Sequence, residues 1–183
     1  MTELPTLAQI EAATHTIYAA FGATPQYCWP TLSQRLGTAC WVKHENHTPV
    51  GAFKVRGGLT YFEHLRSTGQ LPQTVISATR GNHGQSIAYA AARHGVACTI
   101  VVPKGNSSEK NAAMRALGAQ LIEHGHDFQA AREHAQSMAI DQGLHMVPSF
   151  HPALVLGVAT GWLEFLRAVP ALDVLYVPIG LGS

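Results

Sequence analysis

The stretch Pro49-Val50-Gly51-Ala52-Phe53-Lys54-Val55-Arg56-Gly57-Gly58 places a single lysine among small and apolar residues, where an apolar pattern of helical period begins. Partial burial among such neighbours lowers the pKa of an amine and makes it nucleophilic, which imine chemistry requires. A lysine at a helix start is more often a solvated surface residue. The stretch therefore predicts either a reactive amine at Lys54 or an ordinary surface side chain.

A second loop, Thr79-Arg80-Gly81-Asn82-His83-Gly84-Gln85, joins a predicted strand to a predicted helix. Gly81 and Gly84 would let the backbone approach a ligand, and N–H groups at a helix start attract carboxylate or phosphate. An ordinary turn with Asn82 as N-cap explains the same residues. A third loop, Pro178-Ile179-Gly180-Leu181-Gly182-Ser183, resembles a phosphate-binding nest. It lacks the signature of a P-loop or a dinucleotide fold, so nucleotide binding is disfavoured.

The composition is that of a globular protein, with 46% hydrophobic and 13% charged residues among 183. A net charge of +1 without blocks of like charge predicts neither nucleic acid nor a membrane as partner. Three scattered cysteines form no C-x-x-C pair, and the sequence shows no signal peptide or membrane span. We therefore expect a cytoplasmic protein, and the isolated histidine pairs predict no metal site.

Strand-like and helix-like segments alternate along the chain, which indicates an α/β fold with a largely parallel sheet covered on both faces. Ligands of such sheets bind beyond the carboxyl ends of the strands, where the loops can converge. Strands are predicted at 40–45, 74–78, 97–102, 120–122, 144–147 and 173–177, and helices begin at 7, 53, 82, 108, 128 and 152. Segment 24–37 is expected to be mostly loop, with at most one turn of helix.

Ordered motifs along the chain resemble the fold-type II pyridoxal-phosphate enzymes, and most closely their threonine/serine dehydratase branch. They run in family order along essentially the whole chain. The motifs are Thr24-Pro25, Lys43-His44-Glu45, Gly51-Ala52-Phe53-Lys54-Val55-Arg56-Gly57, Gly81-Asn82-His83-Gly84-Gln85, Gly118-Ala119, Gly157-Val158-Ala159-Thr160 and Val177-Pro178-Ile179-Gly180-Leu181-Gly182.

The resemblance implies a role for each loop. Lys54 matches the lysine that binds pyridoxal 5'-phosphate covalently, Phe53 the aromatic beside the cofactor, and Asn82 the partner of its phenolic oxygen. The implied substrate-carboxylate residues are Thr79, Arg80, Gly81, Asn82 and His83, and the implied phosphate residues are Gly180, Leu181, Gly182 and Ser183.

The resemblance also implies a two-domain, parallel-sheet, three-layer αβα architecture of the tryptophan synthase β type. Residues 51–150 would form an inserted small α/β domain, and 1–50 with 151–183 would form part of a large domain that is truncated. A polypeptide that ends at Ser183 is then expected to be a fragment, or an unstable and inactive piece. In the full-length form we expect a homodimer.

The implied activity is a pyridoxal-phosphate-dependent β-elimination that converts L-threonine or L-serine into a 2-oxo acid and ammonia. Arg80 replaces a small residue of the family pattern, which suggests hydroxyaspartate as an alternative substrate unless the side chain points to solvent. Gly157-Val158-Ala159-Thr160 also departs from the family's Gly-Gln-Gly-Thr. A truncated, non-catalytic paralogue that serves as a binding or assembly module is the other interpretation.

Overall fold

A computed structural model describes residues 4–180 and shows seven α-helices and six strands within that range. The helices are α1 (Leu7–Tyr18), α2 (Pro30–Leu36), α3 (Lys54–Ser67), α4 (Asn82–Arg93), α5 (Ser108–Ala116), α6 (Phe128–Gln142) and α7 (Pro152–Ala168). The strands are β1 (Gln26–Cys28), β2 (Trp41–Lys43), β3 (Thr74–Ala78), β4 (Ala97–Val102), β5 (Gln120–Glu123) and β6 (His145–Met146).

Four strands form a parallel sheet in the order β5-β4-β3-β6, and helices cover both of its faces. Val75 and Ile100 point into the core cluster that contains side chains of α3 and α4. Ile76 and Val101, one residue further along each strand, point into a second cluster with alanines of α6. This alternation is what a strand between two layers requires. The prediction of an α/β fold with a covered parallel sheet is confirmed.

Segment 24–37, expected to be mostly loop, contains β1 and α2 instead. Strand β1 pairs with β2 in an antiparallel ribbon, with Tyr27 opposite Val42. Helix α2 begins with Pro30 at its first turn and ends at Gly37, whose φ of 69° is the left-handed conformation that favours glycine. The prolines there mark element boundaries rather than a continuous loop.

The prediction of a buried strand is also wrong for residues 173–177. They adopt no regular structure, and Val174 and Tyr176 are 66% and 91% exposed. An apolar run becomes a strand only beside another strand that accepts its hydrogen bonds. The described part of the chain provides no such partner for 173–177.

All four sheet strands lie between residues 51 and 150, whereas α3 packs against α7, which lies beyond that range. The proposed domain division at residues 50 and 150 therefore stays a prediction. Within residues 4–180, none of the helices has the length and apolar character that a bilayer crossing demands.

A buried ion cluster fixes α3 against the segments that precede and follow the sheet strands in the sequence. The guanidinium of Arg56 is fully buried and forms two hydrogen bonds to Glu45, at 2.8 and 3.0 Å, and two to Glu164, both at 2.8 Å. Lys43 is the second cation of the cluster, and its Nζ lies 2.7 Å from Oε2 of Glu164. Burial by itself would raise the pKa of Glu164, but its bonds from Arg56 and Lys43 bring that pKa below its ordinary value.

Glycines allow α3 and α7 to approach closely around this cluster. A Cβ on Gly157 would lie 2.2 Å from the carbonyl oxygen of Arg56, and one on Gly161 would lie 3.1 Å from Nε of Arg56. Thr60 crosses the same interface and donates to the carbonyl oxygen of Ala153 at 2.7 Å. Side chains at either glycine would push α7 away from the guanidinium.

We predict that Arg56→Met lowers the free energy of unfolding by about 3–5 kcal/mol, because it leaves Glu45 without its cation and leaves the buried Glu164 with Lys43 alone. Urea unfolding followed by circular dichroism measures the change. Arg66→Met is the matched control, since Arg66 lies on the same helix and its pair with Glu63 is solvent-exposed. Equal effects of the two substitutions would contradict a structural role for the buried cluster.

Candidate functional site

Lys54 is the first residue of α3, and its side chain is partly buried. Burial lowers the pKa of its amine, as a nucleophilic lysine requires. Its Nζ lies 5.3 Å from the ring centroid of Phe53. The hydroxyl of Ser86 in α4 donates to the Lys54 carbonyl oxygen at 2.6 Å, which ties the start of α3 to α4. The lysine therefore stands on a fixed backbone.

Residues 79–83, which we call the carboxylate loop, connect β3 to α4 at the carboxyl edge of the sheet. The buried hydroxyl of Thr79 accepts from the N–H groups of Gly81 at 3.0 Å and Gly84 at 3.4 Å. The described hydrogen bonds leave the N–H groups of Asn82 and His83 without an acceptor among residues 4–180. Thr79 thus shapes a loop that presents two adjacent donors to an anion.

His83 connects the carboxylate loop to Lys54. Burial, and then the nearby positive charge of Lys54, lower the pKa of the His83 ring to about 4, so it is neutral at pH 7. Its Nε2 is buried and has no hydrogen-bond partner among the described residues. A buried nitrogen without a partner is costly, and a bound polar group would satisfy it. The structure therefore brings Lys54 and the carboxylate loop into one site.

Other predicted site residues are placed differently. The Asn82 and Arg80 side chains are exposed. The pKa of Asp127 is lowered, first by a hydrogen bond from the Ala130 N–H and to a smaller extent by the charge of Arg80, so Arg80 lies toward the start of α6. Gly180 has open space around the position of a Cβ. Leu181, Gly182 and Ser183 lie outside the described residues.

An open apolar groove of about 530 Å³ lies beside Phe53 and α7. The sequence predicts that Leu154, Val158, Trp162 and Phe165 of α7 face inward. Leu154 and Phe165 are buried, whereas Val158 and Trp162 line the groove. The groove places Phe53 at the junction between α7 and the Lys54 region.

Sequence reasoning missed Lys110, the third residue of α5, which reaches the carboxylate loop. A Cβ on Gly81 would lie 2.5 Å from Cδ of Lys110 and 3.1 Å from its Nζ. Gly81 has a φ of 168°, an extended value open to any residue. Glycine at this position leaves the space that the end of the Lys110 side chain occupies. Nothing in the local sequence of α5 indicates this contact.

The chain resembles known proteins in both sequence and fold. A family model described as "Pyridoxal-phosphate dependent enzyme" matches residues 17–183. The chain is 38% identical over 168 residues to the L-threonine dehydratase biosynthetic IlvA of Salmonella typhimurium, an alignment that covers 91% of this chain and 32% of that protein. It is 33% identical over 181 residues to the L-threo-3-hydroxyaspartate ammonia-lyase of Saccharomyces cerevisiae, covering 98% and 55%.

Among solved structures, a pyridoxal 5'-phosphate-dependent aspartate racemase superposes with a TM-score of 0.87 at 28% identity, covering 94% of this chain and 54% of that one. The chain thus spans about a third of the threonine dehydratase and about half of the other two proteins.

We predict that His83 makes the stability of the chain fall as the pH drops from 7 to 4.5. The unfolded histidine takes up a proton near pH 6.5, whereas the folded ring resists it until about pH 4. The stabilisation by neutral His83 is therefore complete above pH 6.5, and roughly 2 kcal/mol of it is lost by pH 4.5. Urea unfolding at the two pH values should show a smaller difference for His83→Asn. His15→Asn, at an exposed position in α1, should keep the wild-type difference.

Proposed function

Because this chain belongs to the pyridoxal-phosphate dependent enzyme family, we propose that it provides the reactive lysine and the substrate-carboxylate loop of an ammonia-lyase. The reaction is β-elimination from L-threonine or L-serine, which yields a 2-oxo acid and ammonia. The proximity of Lys54 to His83 is the observation that most supports the proposal. It places an amine whose pKa is lowered by burial beside a loop with open N–H donors. The threonine dehydratase relative supports the choice of substrate.

The residues present fit pyridoxal phosphate. Lys54 offers an amine whose pKa is lowered by burial, and Phe53 offers an aromatic face 5.3 Å from that amine. The buried Nε2 of His83 lacks a partner that a polar ligand would supply. Lys54 would hold the cofactor through Nζ, Asn82 would meet its phenolic oxygen, and the loop that begins at Gly180 would hold its phosphate.

When bound, the cofactor supplies an electron-withdrawing ring that stabilises negative charge at the substrate Cα. The protein contributes orientation and proton transfer. The N–H groups of Asn82 and His83 would hold the substrate carboxylate beside Lys54. The Lys54 amine is the base that takes the Cα proton, and its lowered pKa raises the neutral fraction able to do so.

We predict that Lys54→Ala abolishes covalent retention of the cofactor and lowers kcat by at least about 10³-fold, since it removes both the attachment point and the base. Borohydride reduction followed by peptide mass mapping should place the cofactor on Lys54 in the wild type and nowhere in the variant. Lys104→Ala, at an exposed lysine of the same domain, is the control. A cofactor-loaded wild type without lyase turnover would favour the non-catalytic binding module instead.

Hydroxyaspartate is a second candidate substrate, and the yeast hydroxyaspartate ammonia-lyase that matches 98% of the chain favours it. Arg80 is the cation that the sequence offers for the additional carboxylate. The position of Arg80 argues against this role, because the side chain is exposed and lies near the competing carboxylate of Asp127.

We therefore expect Arg80→Ala to change the ratio of kcat/KM for hydroxyaspartate over threonine by less than about threefold, the scale of a screened surface contact. Arg132→Ala, at an exposed arginine of α6, is the matched control. Steady-state kinetics with both substrates give the ratio. A selective loss of about tenfold or more for hydroxyaspartate would assign Arg80 to its second carboxylate.

A further inference from the structure

The side chain of Lys110 lies across the carboxylate loop. It occupies the first turn of α5, where its N–H donates to the Ser107 N-cap at 3.4 Å, and its Cδ and Nζ approach Gly81. No salt bridge to Lys110 occurs within residues 4–180. Glu109 is adjacent in sequence, and adjacent helical residues do not face each other.

The surroundings of Lys110 favour the binding of an anion. Helix α5 presents its own N-terminus to Lys110, and Gly81 is the N-cap of α4, so two positive helix ends meet one ammonium. The open N–H groups of Asn82 and His83 lie in the same first turn of α4. The Lys110 ammonium, the N-terminus of α5 and the open N–H groups at the N-terminus of α4 form a concentrated positive site at the carboxyl edge of the sheet.

A second observation in the carboxylate loop points to a polar ligand. The Nε2 of His83 is buried without a partner, although the ring is neutral and could accept or donate one hydrogen bond. The other nearby cations have different tasks. Lys54 is the proposed attachment point of the cofactor, and Arg80 lies toward Asp127.

We propose that Lys110 is a substrate-binding residue whose ammonium pairs with the α-carboxylate of the amino-acid substrate in the carboxylate loop. The proposal rests on the proposed function. The N–H groups of Asn82 and His83 hold the carboxylate from the helix side, and Lys110 supplies the formal counter-charge that neutral His83 does not. The end of the Lys110 side chain occupies the space beside Gly81, where it lies over the loop.

The test compares Lys110→Gln and Lys110→Arg with Lys104→Gln in the cofactor-loaded protein. Because Lys110 is exposed, its removal should leave folding and cofactor retention unchanged. We expect Lys110→Gln to raise KM for L-threonine about tenfold with kcat within about twofold, the effect of losing one charge-assisted contact. Lys110→Arg should recover most of the affinity, and Lys104→Gln should match the wild type.

A neutral substrate analogue isolates the carboxylate. L-threoninamide lacks the negative charge, so Lys110→Gln should not weaken its binding, measured through the change in cofactor absorbance. An equal loss for the amide and the acid would overturn the proposal, and so would an unchanged KM in a Lys110→Gln protein that retains its cofactor. Absence of cofactor from every variant and the wild type would overturn the proposed function instead.

Titration of the unloaded protein tests the anion site without any turnover. Propionate should shift the amide resonances of Asn82 and His83 in the wild type, and should shift them at about tenfold higher concentration in Lys110→Gln. Inorganic phosphate is the competing probe. Shifts with phosphate and none with propionate would show a phosphate site and overturn the proposal.

Discussion

The buried guanidinium of Arg56 is the constraint on which the arrangement of this chain depends. Burying a charge is costly unless its partner charges and hydrogen bonds are complete. Glu45 and Glu164 accept four hydrogen bonds from Arg56, the Thr160 hydroxyl oxygen accepts another at 3.1 Å, and Lys43 forms an ion pair with Glu164. The elements before and after the sheet can therefore meet α3 in only one way.

The chemistry of the site follows from that fixed helix. Lys54 lies two residues before Arg56, so the ion cluster and the Ser86 hydrogen bond hold the backbone that carries the amine. With the backbone fixed, burial lowers the pKa of the amine, and the Lys54 charge in turn acts on His83. A lysine on a mobile loop would relax into water and lose this coupling. The buried ion cluster therefore has a structural role, and it serves the site by holding Lys54 in position.

The sequence was sufficient wherever a short segment determines its own structure. Strands β3 and β4 match the predicted bounds, because a buried parallel strand is an apolar run between turn residues. Local composition also predicted that residues 79–81 connect a strand to a helix, whereas their role toward a substrate carboxylate came from the family resemblance and stays a prediction. Residues 173–177 have the same apolar pattern, yet they do not form a strand, since strand formation depends on a neighbour that local sequence does not specify.

Local sequence does not predict which side chains pair across long distances along the chain. Arg56 and Glu164 are 108 residues apart, and no periodicity indicates which distant carboxylate a given arginine meets. The contact of Lys110 with Gly81 was missed for the same reason, because it depends on how α5 packs beside α4. Family motifs identified Lys54, Gly81 and Asn82, but they do not give the physical reason for each residue.

The distance along the chain between Arg56 and Glu164 also has a consequence for biosynthesis. A ribosome adds about 5–20 residues per second, so Glu164 is made about 5–20 s after Arg56. During that interval the nascent chain holds one carboxylate partner, Glu45, for a guanidinium that the folded protein surrounds with two. Helix α3 can take its final position only after α7 has been made. The site around the Lys54 amine therefore forms late in synthesis. A growing chain therefore carries Lys54 without a finished site around it.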